Sequence, residues 1–306
     1  MRLVVALGGN ALLERGQLPD ADIQERNVRR AVESIAPLAA HHEVLLTHGN
    51  GPQVGLLALQ SAKDPSLSRP YPFDALGAET QGLIGYWLMQ SLQNALPGRQ
   101  VACLITQTLV SAADPAFANP TKFVGPVYTD AEAHRLATER GWTVHPDGAS
   151  WRRVVPSPTP HRVVDTPLIR HLLAADFVVV CAGGGGVPVV RGAGGQLEGV
   201  EAVIDKDLTA ALLAEALDAE GLLLLTDISA VEGDYGTPQA APITRATPAE
   251  LRARNFPAGS MGPKIDAVCR FVEMTGHFAA IGALGDTEAI LAGKAGTIVT
   301  PNGLYP

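Results

Sequence analysis

Of the 23 basic residues in this chain only five are lysines: Lys63, Lys122, Lys206, Lys264 and Lys294. Arginine carries the charge elsewhere, so a lysine marks a place where a compact ammonium was preferred to a planar fork. Lys206 lies in "VIDKDLTAALLA", at the first turn of an expected helix, between Asp205 and Asp207. Lys264 lies in "GSMGPKIDA", again at a helix start. A cation there opposes the helix dipole and costs from a few tenths to about 1 kcal/mol, a sign that a bound anion would reverse. Lys122 lies in "NPTKFVGPVY", inside an irregular stretch. Asp207 is placed either to cap its helix or to hold neighbouring ammonium groups. Lys63 reads as a surface-loop residue and Lys294 as a turn residue.

Glycine-rich stretches recur where apolar strands should end. They are "GGNAL" (Gly8, Gly9, Asn10), "HGNGPQVG" (Gly49, Asn50, Gly51), "GGGGVP" (with Gly184 and Gly185) and "TDISAVEGDYG" (with Asp227 and Tyr235). Any one of these is an ordinary turn between strand and helix. Four at one end of one sheet point to a phosphate or carboxylate cradle, because glycine lets an anion approach backbone amides closely. Asp227 suits an Asx turn or a nucleotide contact, and Tyr235 suits a base or a turn. The chain has no GxxxxGK[ST] motif and no strand-borne GxGxxG, which excludes a P-loop and argues against a dinucleotide fingerprint. No Ser/His/Asp or Cys/His arrangement stands out, and His48 has no sequence partner for a triad. Positioned cations and backbone dipoles without a nucleophile suit phosphoryl transfer.

The elements that must position these groups alternate. Strands are expected at Leu3–Leu7, Glu43–Thr47, Val101–Leu109, Phe177–Ala182, 221–226, Phe278–Gly282 and Thr297–Thr300. Helices are expected at Asp22–His41, Ala75–Leu96, Thr166–Ala175, Asp207–Ala219, Pro263–Thr275 and Thr287–Ala292. Continuous apolar strands separated by helices predict an α/β fold with a mostly parallel sheet covered on both faces. In such sheets ligands bind beyond the carboxyl ends of the strands. Residues 114–161, rich in Pro, Asp, Arg and aromatics, break the rhythm and read as an insertion off the main sheet.

The totals fit a soluble, cytoplasmic protein. Of 306 residues, 46% are hydrophobic, yet no apolar run approaches bilayer length, and "MRLVVALGGN" is too short for a signal peptide. The net charge of −8 argues against a nucleic-acid footprint. Cys103, Cys181 and Cys269 are scattered, which suits reduced core thiols and not a metal cluster.

The motifs together resemble the carbamate kinase branch of the amino acid kinase family. The residues that carry the resemblance are "VVALGGNAL", "THGNGPQVG", "ETQGLIGYWL", "NPTKFVGPVY", "RRVVPSP", "CAGGGGVPVV", "VIDKDLTAALLA", "LLLLTDISAVEGDYG" and "GSMGPKIDA", spread from Leu3 to about Val299. The resemblance implies a three-layer αβα sandwich on a mainly parallel sheet of about eight strands. It implies one domain over residues 1–306, with 114–161 as a protruding subdomain or lid, and a homodimer. It implies reversible phosphoryl transfer between ATP and carbamate with Mg2+, run toward ATP in arginine catabolism. The N-terminal half would hold carbamate or carbamoyl phosphate through Gly8, Gly9, Asn10, Gly49, Asn50 and Gly51, with Gly184 and Gly185. The C-terminal half would hold ATP or ADP through Asp227, Tyr235, Met261, Gly262 and Lys264. Lys122, Lys206 and Lys264 would surround the transferred phosphoryl group, organised by Asp207, with no protein metal ligand implied. Phe123 stands where the family pattern leads one to expect proline. The alternatives are another phosphotransferase of the family, acting on an amino acid carboxylate or an isoprenoid phosphate, and a nucleotide-binding regulator without turnover.

Overall fold

The computed structural model describes residues 1–14, 16–257 and 261–304, with the side chain of Asn10 outside that description. Eight strands form the central sheet: β1 (Arg2–Leu7), β2 (Glu43–His48), β3 (Val101–Cys103), β4 (Val178–Val180), β5 (Gly221–Thr226), β6 (Arg245–Ala246), β7 (Phe278–Ala283) and β8 (Thr297–Val299). Their spatial order is β6-β8-β7-β5-β1-β2-β4-β3. All neighbours run parallel except β7 and β8, which are antiparallel.

The apolar runs explain this sheet. A strand buried on both faces needs no polar alternation, and "LVVAL" and "GLLLL" provide none. Val4, Ala6, Leu222 and Leu224 point into one core. That core also holds residues of helices that follow strands on that face: α4 (Thr166–Ala174), α5 (Lys206–Ala216) and α6 (Met261–Thr275). The alternate residues Leu3, Val5, Leu7 and Leu223 point into the opposite core, shared with α1 (Ala21–His41) and α3 (Phe73–Ala95). The result is a three-layer αβα sandwich on a mainly parallel eight-stranded sheet, as expected.

Two expectations about elements need correction. Lys63, read as a surface-loop residue, closes helix α2 (Gly51–Lys63), an element not expected from the sequence, with Pro52 in its first turn, where a missing N–H costs nothing. Val101–Leu109 is two strands, not one. β3 belongs to the central sheet, while Gln107–Leu109 joins a separate four-stranded sheet with Arg162–Val163, Val187–Arg191 and Leu197–Gly199. The break has a cause in the side chain of Gln81, on α3. The Thr106 N–H donates to Gln81 Oε1 at 3.1 Å instead of to a strand, while the Thr106 carbonyl accepts from Gln81 Nε2 at 3.2 Å and from the Val187 N–H at 2.8 Å, which leads the chain into the second sheet.

Within 114–161, strands Lys122–Tyr128, Ser150–Val155 and Thr143–Asp147 form an antiparallel sheet of their own in that spatial order, with a helix at Asp130–Arg140. It abuts α2 so closely that a Cβ on Gly55 would lie 2.2 Å from Gly125 Cα. Among the described residues no helix is long and apolar enough to cross a membrane. Cys181 and Cys269 are buried free thiols, and Cys103 is half-buried.

Candidate active site

The amino end of α5 is built by Asp205. Its Oδ1 accepts from the N–H groups of Asp207 at 2.9 Å and Leu208 at 3.3 Å, the geometry of an N-cap. Its Oδ2 accepts from Lys122 Nζ at 2.6 Å. Asp207, the next carboxylate along, is therefore free of capping and faces two lysines. Oδ1 accepts from Lys206 Nζ at 2.5 Å and Oδ2 from Lys264 Nζ at 3.0 Å. Of the two placements open to Asp207 from sequence, the structure selects the second.

Lys122, Lys206 and Lys264 thus come from three elements and converge through two carboxylates. Asp207 is 3% exposed and Lys206 9%. Three cations against two anions leave the cluster one positive charge in excess in a place where water screens little. Burial opposes ionisation of Asp207, but the two ammonium groups overcome it and hold its carboxyl far below the usual range. Burial likewise opposes Asp205, and Lys122 holds it low. Lys206 is lowered, mainly by burial and against the pull of Asp207. For Lys264 burial acts downward, yet Asp207, with Asp205 and Asp227 behind it, carries it above the ordinary lysine value.

The glycine loops meet at the carboxyl ends of neighbouring strands. The Gly8 N–H donates to the Leu225 carbonyl at 2.8 Å and the Gly49 N–H to the Leu7 carbonyl at 2.9 Å. A Cβ on Gly49 would lie 2.9 Å from the Gly9 nitrogen, so the loops after β1 and β2 touch. Gly51 opens α2 with nothing within 4 Å of its Cβ position. The Asn50 amide is buried and donates to Thr80 Oγ1 at 2.9 Å.

Residues 183–186 have a packing reason for their composition. Protein fills the Cβ direction of each glycine. A Cβ would meet the His48 ring at 2.3 Å from Gly183, Asn50 Nδ2 at 2.2 Å from Gly184, Ile204 Cβ at 2.8 Å from Gly185 and Thr108 Oγ1 at 2.2 Å from Gly186. Gly184, Gly185 and Gly186 also have φ of 62°, 89° and 88°, in the left-handed region. The Gly185 carbonyl accepts from Thr108 Oγ1 at 2.8 Å and Thr209 Oγ1 at 3.1 Å, tying the loop to α5.

Of the remaining candidates, Asp227 follows β5, accepts from Thr226 Oγ1 at 3.0 Å and acts electrostatically on Lys264. Met261 and Gly262 open α6, where the Gly262 N–H donates to the Pro257 carbonyl at 2.9 Å. Tyr235 is 72% exposed between the hairpin strands Val231–Gly233 and Ala241–Ile243, and among the described residues no contact joins it to the lysines. The Asn10 side chain lies outside the described residues. Sequence reasoning passed over two residues of this region. Asp205 gave a usable signal, an acid two residues before another acid at a helix start. His48 gave only its place beside a glycine loop.

Among the described residues no three acids, histidines or cysteines cluster as a metal cage. The Asp205 and Asp207 carboxylates are engaged by lysines. That donor set fits a Mg2+ ion carried mainly by phosphate oxygens, as is usual for this cation.

The fold and the converging strand ends define a class before any individual. Residues 1–282 match the model of the amino acid kinase family, and the chain belongs to that family. Its relatives are more particular. It is 52% identical over 304 residues to a carbamate kinase of Rhizobium meliloti, covering 98% of this chain and 93% of that one. It is 50% identical over 301 residues to a carbamate kinase of Haemophilus influenzae, covering 98% and 97%. Among solved structures it resembles the carbamate kinase of Giardia lamblia bound to AMP-PNP, with a TM-score of 0.89, 38% identity and 98% of each chain covered.

Proposed function

We propose that the chain is a carbamate kinase, transferring a phosphoryl group reversibly between ATP and carbamate. One observation carries this reading: Lys122, Lys206 and Lys264 are brought together by Asp205 and Asp207 beside the strand-end glycine loops.

The chemistry that follows is electrostatic. Carbamate is already an anion, so its oxygen needs no general base to attack. The obstacle is repulsion between two anions. Three fixed ammonium groups lower it without reorganisation, and backbone amides at Gly9, Gly51 and Gly184, in loops whose course Gly8, Gly49 and Gly185 fix through their own main-chain bonds, orient the acceptor with Asn10 and Asn50. Asp227, Tyr235, Met261, Gly262 and Lys264 take the nucleotide side. Asp207 keeps Lys206 and Lys264 ionised and aimed, and Asp205 does so for Lys122. Mg2+, when bound with the nucleotide, adds charge neutralisation on the phosphates.

The same reading takes residues 1–306 as one catalytic domain, 114–161 as a lid that delivers Lys122, and the enzyme as a cytoplasmic homodimer. The Lys122–Asp205 pair supports the lid, since it links the small sheet to α5. Carbamoyl phosphate is a mixed anhydride of high transfer potential, which supports running the reaction toward ATP, in arginine catabolism. The test is ATP formation from ADP and carbamoyl phosphate in a coupled assay. Turnover is expected; none, with acetylglutamate or isopentenyl phosphate accepted instead, would move the chain to another branch of the family.

A further inference from the structure

We propose that His48 is a positioning residue of this site, its buried imidazole holding the loop after β2 and the glycine loop after β4 at a fixed spacing beside Lys206. This rests on the phosphoryl-transfer reading above. His48 ends β2, in register with Leu7 at the end of β1, and is 1% exposed. Its Nδ1 lies 3.0 Å from the Gly49 carbonyl oxygen. A carbonyl can only accept, so Nδ1 carries the proton and Nε2 keeps its lone pair. The far edge of the ring, Cε1 and Nε2, occupies the space a Cβ on Gly183 would need, at 2.3 Å from either atom. One side of the imidazole is thus bonded to the second glycine loop and the other side is the surface on which the third one rests.

The neighbouring contacts show why that spacing matters. The residue before Gly183 is pinned, with the Ala182 carbonyl accepting from Thr47 Oγ1 at 2.9 Å and the Ala182 N–H donating to Thr106 Oγ1 at 2.9 Å. Two residues after Gly183, the Gly185 carbonyl accepts from Thr209 on α5, the helix that bears Lys206 and Asp207. A shift of the loop at Gly183 therefore reaches the helix that aims the ammonium groups. A ring held neutral is also required, because a fourth cation would compete in a cluster already one charge in excess. Burial, aided by the positive charge of Lys206 and against the bond to Gly49, lowers the His48 pKa to about 4. Lys206 is the charged side chain that acts on it; Gln81, neutral, is the other polar side chain at Gly183.

The test has two arms on the full-length enzyme. In the first, long-range 1H–15N NMR of the wild type is expected to show His48 as the Nδ1–H tautomer, unchanged between about pH 5.5 and 8. A proton on Nε2, or titration near the ordinary histidine value, overturns the proposal. In the second, ATP formation is measured for His48→Asn, whose amide keeps a donor at the Nδ1 position, and His48→Leu, which fills space without one. His48→Leu should lose about 100-fold in kcat through loop misplacement, with a raised KM for carbamoyl phosphate and an unchanged KM for ADP, while His48→Asn recovers at least about a tenfold part of that loss. If His48→Leu does not fold, His48→Gln takes its place with the same expected ranking below His48→Asn. A residue of merely structural worth would lower the Tm of each variant and leave kcat of the folded protein untouched, and that result overturns the proposal. A wild type that makes no ATP overturns the phosphoryl-transfer reading instead, while the NMR arm still decides the loop-holding geometry of His48.

Discussion

Lys264 Nζ lies 3.0 Å from Asp207 Oδ2, a contact between residues 57 apart in sequence. It joins the first turn of α6 to the first turn of α5. Each helix start is a place where a lysine is locally unfavourable. The carboxylate between them makes both tolerable and fixes the distance between their charges.

Asp207→Asn tests that relationship. The amide keeps the shape but leaves Lys206 and Lys264 without their shared counter-charge in a buried place. Removing one partner of a buried ion pair costs about 3–5 kcal/mol of stability. Misaligned cations should also lower kcat by about 100- to 1000-fold. Urea unfolding and the ATP-forming assay measure the two effects. A variant with wild-type kcat would take Asp207 out of the mechanism.

Lys122 and Lys206 should separate activity from stability. The Lys122 side chain is 33% exposed, so its bond to Asp205 is partly screened. Lys122→Ala removes the ammonium from a buried Asp205 that keeps its two backbone N–H bonds, and should cost about 1–3 kcal/mol, less than Asp207→Asn. Lys206→Ala leaves Asp207 still paired with Lys264 and should remain folded. Both should lose about 3–4 kcal/mol of transition-state stabilisation, read from kcat/KM with carbamoyl phosphate. If either variant keeps its rate, that lysine does not meet the transferred group.

Much of this arrangement is legible in the sequence, and the part that is not has a common cause. The continuous apolar runs of β1, β2 and β5 state a sheet buried on both faces. Lysines at helix starts state a missing anion, because they break a local preference. Which of Asp205 and Asp207 caps α5 cannot be read from "IDKD", since either could sit one residue ahead of a first turn. The four glycines at 183–186 show only part of their reason in the sequence. Their crowding comes from His48, Asn50, Thr108 and Ile204, four residues far from them in sequence, so no local rule separates a loop bared for a ligand from one pressed by protein. The break of 101–109 depends likewise on Gln81, on a different helix.

The glycine packing makes its own prediction. At Gly184 φ is 62° and a Cβ would lie 2.2 Å from Asn50 Nδ2. Gly184→Ala combines left-handed backbone with overpacking and should destabilise by about 2–4 kcal/mol. Gly51 has nothing within 4 Å of its Cβ position and lies in α2. Gly51→Ala should be neutral or stabilising by about 0.5 kcal/mol. Urea midpoints of the two variants should move in different directions or by very different amounts. Equal shifts would mean that the loop relaxes around a methyl group at Gly184.

The pH dependence of stability follows from His48. Its pKa falls from 6.5 to about 4 on folding. Between those values the unfolded chain binds a proton that the folded chain refuses, so stability rises with pH there. The contribution is fully present above about pH 6.5, is lost as the pH falls toward about 4, and is absent below that. A displacement of this size amounts to on the order of 3 kcal/mol for a fully buried group. Asp205 and Asp207 act in the same direction but lower, since their carboxyls are held below the usual range by Lys122, Lys206 and Lys264. Their contributions are lost only once the pH falls through the ordinary carboxylate range and below. Between about pH 6.5 and 4.5 the carboxylates contribute little, and His42, lowered chiefly by burial, acts in the same direction as His48, so the comparison with His48→Asn is what isolates the His48 imidazole. Urea unfolding at the two ends of that window should show the wild type losing stability on acidification, and His48→Asn, which cannot be protonated, losing markedly less. Equal losses in the two proteins would place the titrating group elsewhere and return His48 to an ordinary solvated histidine.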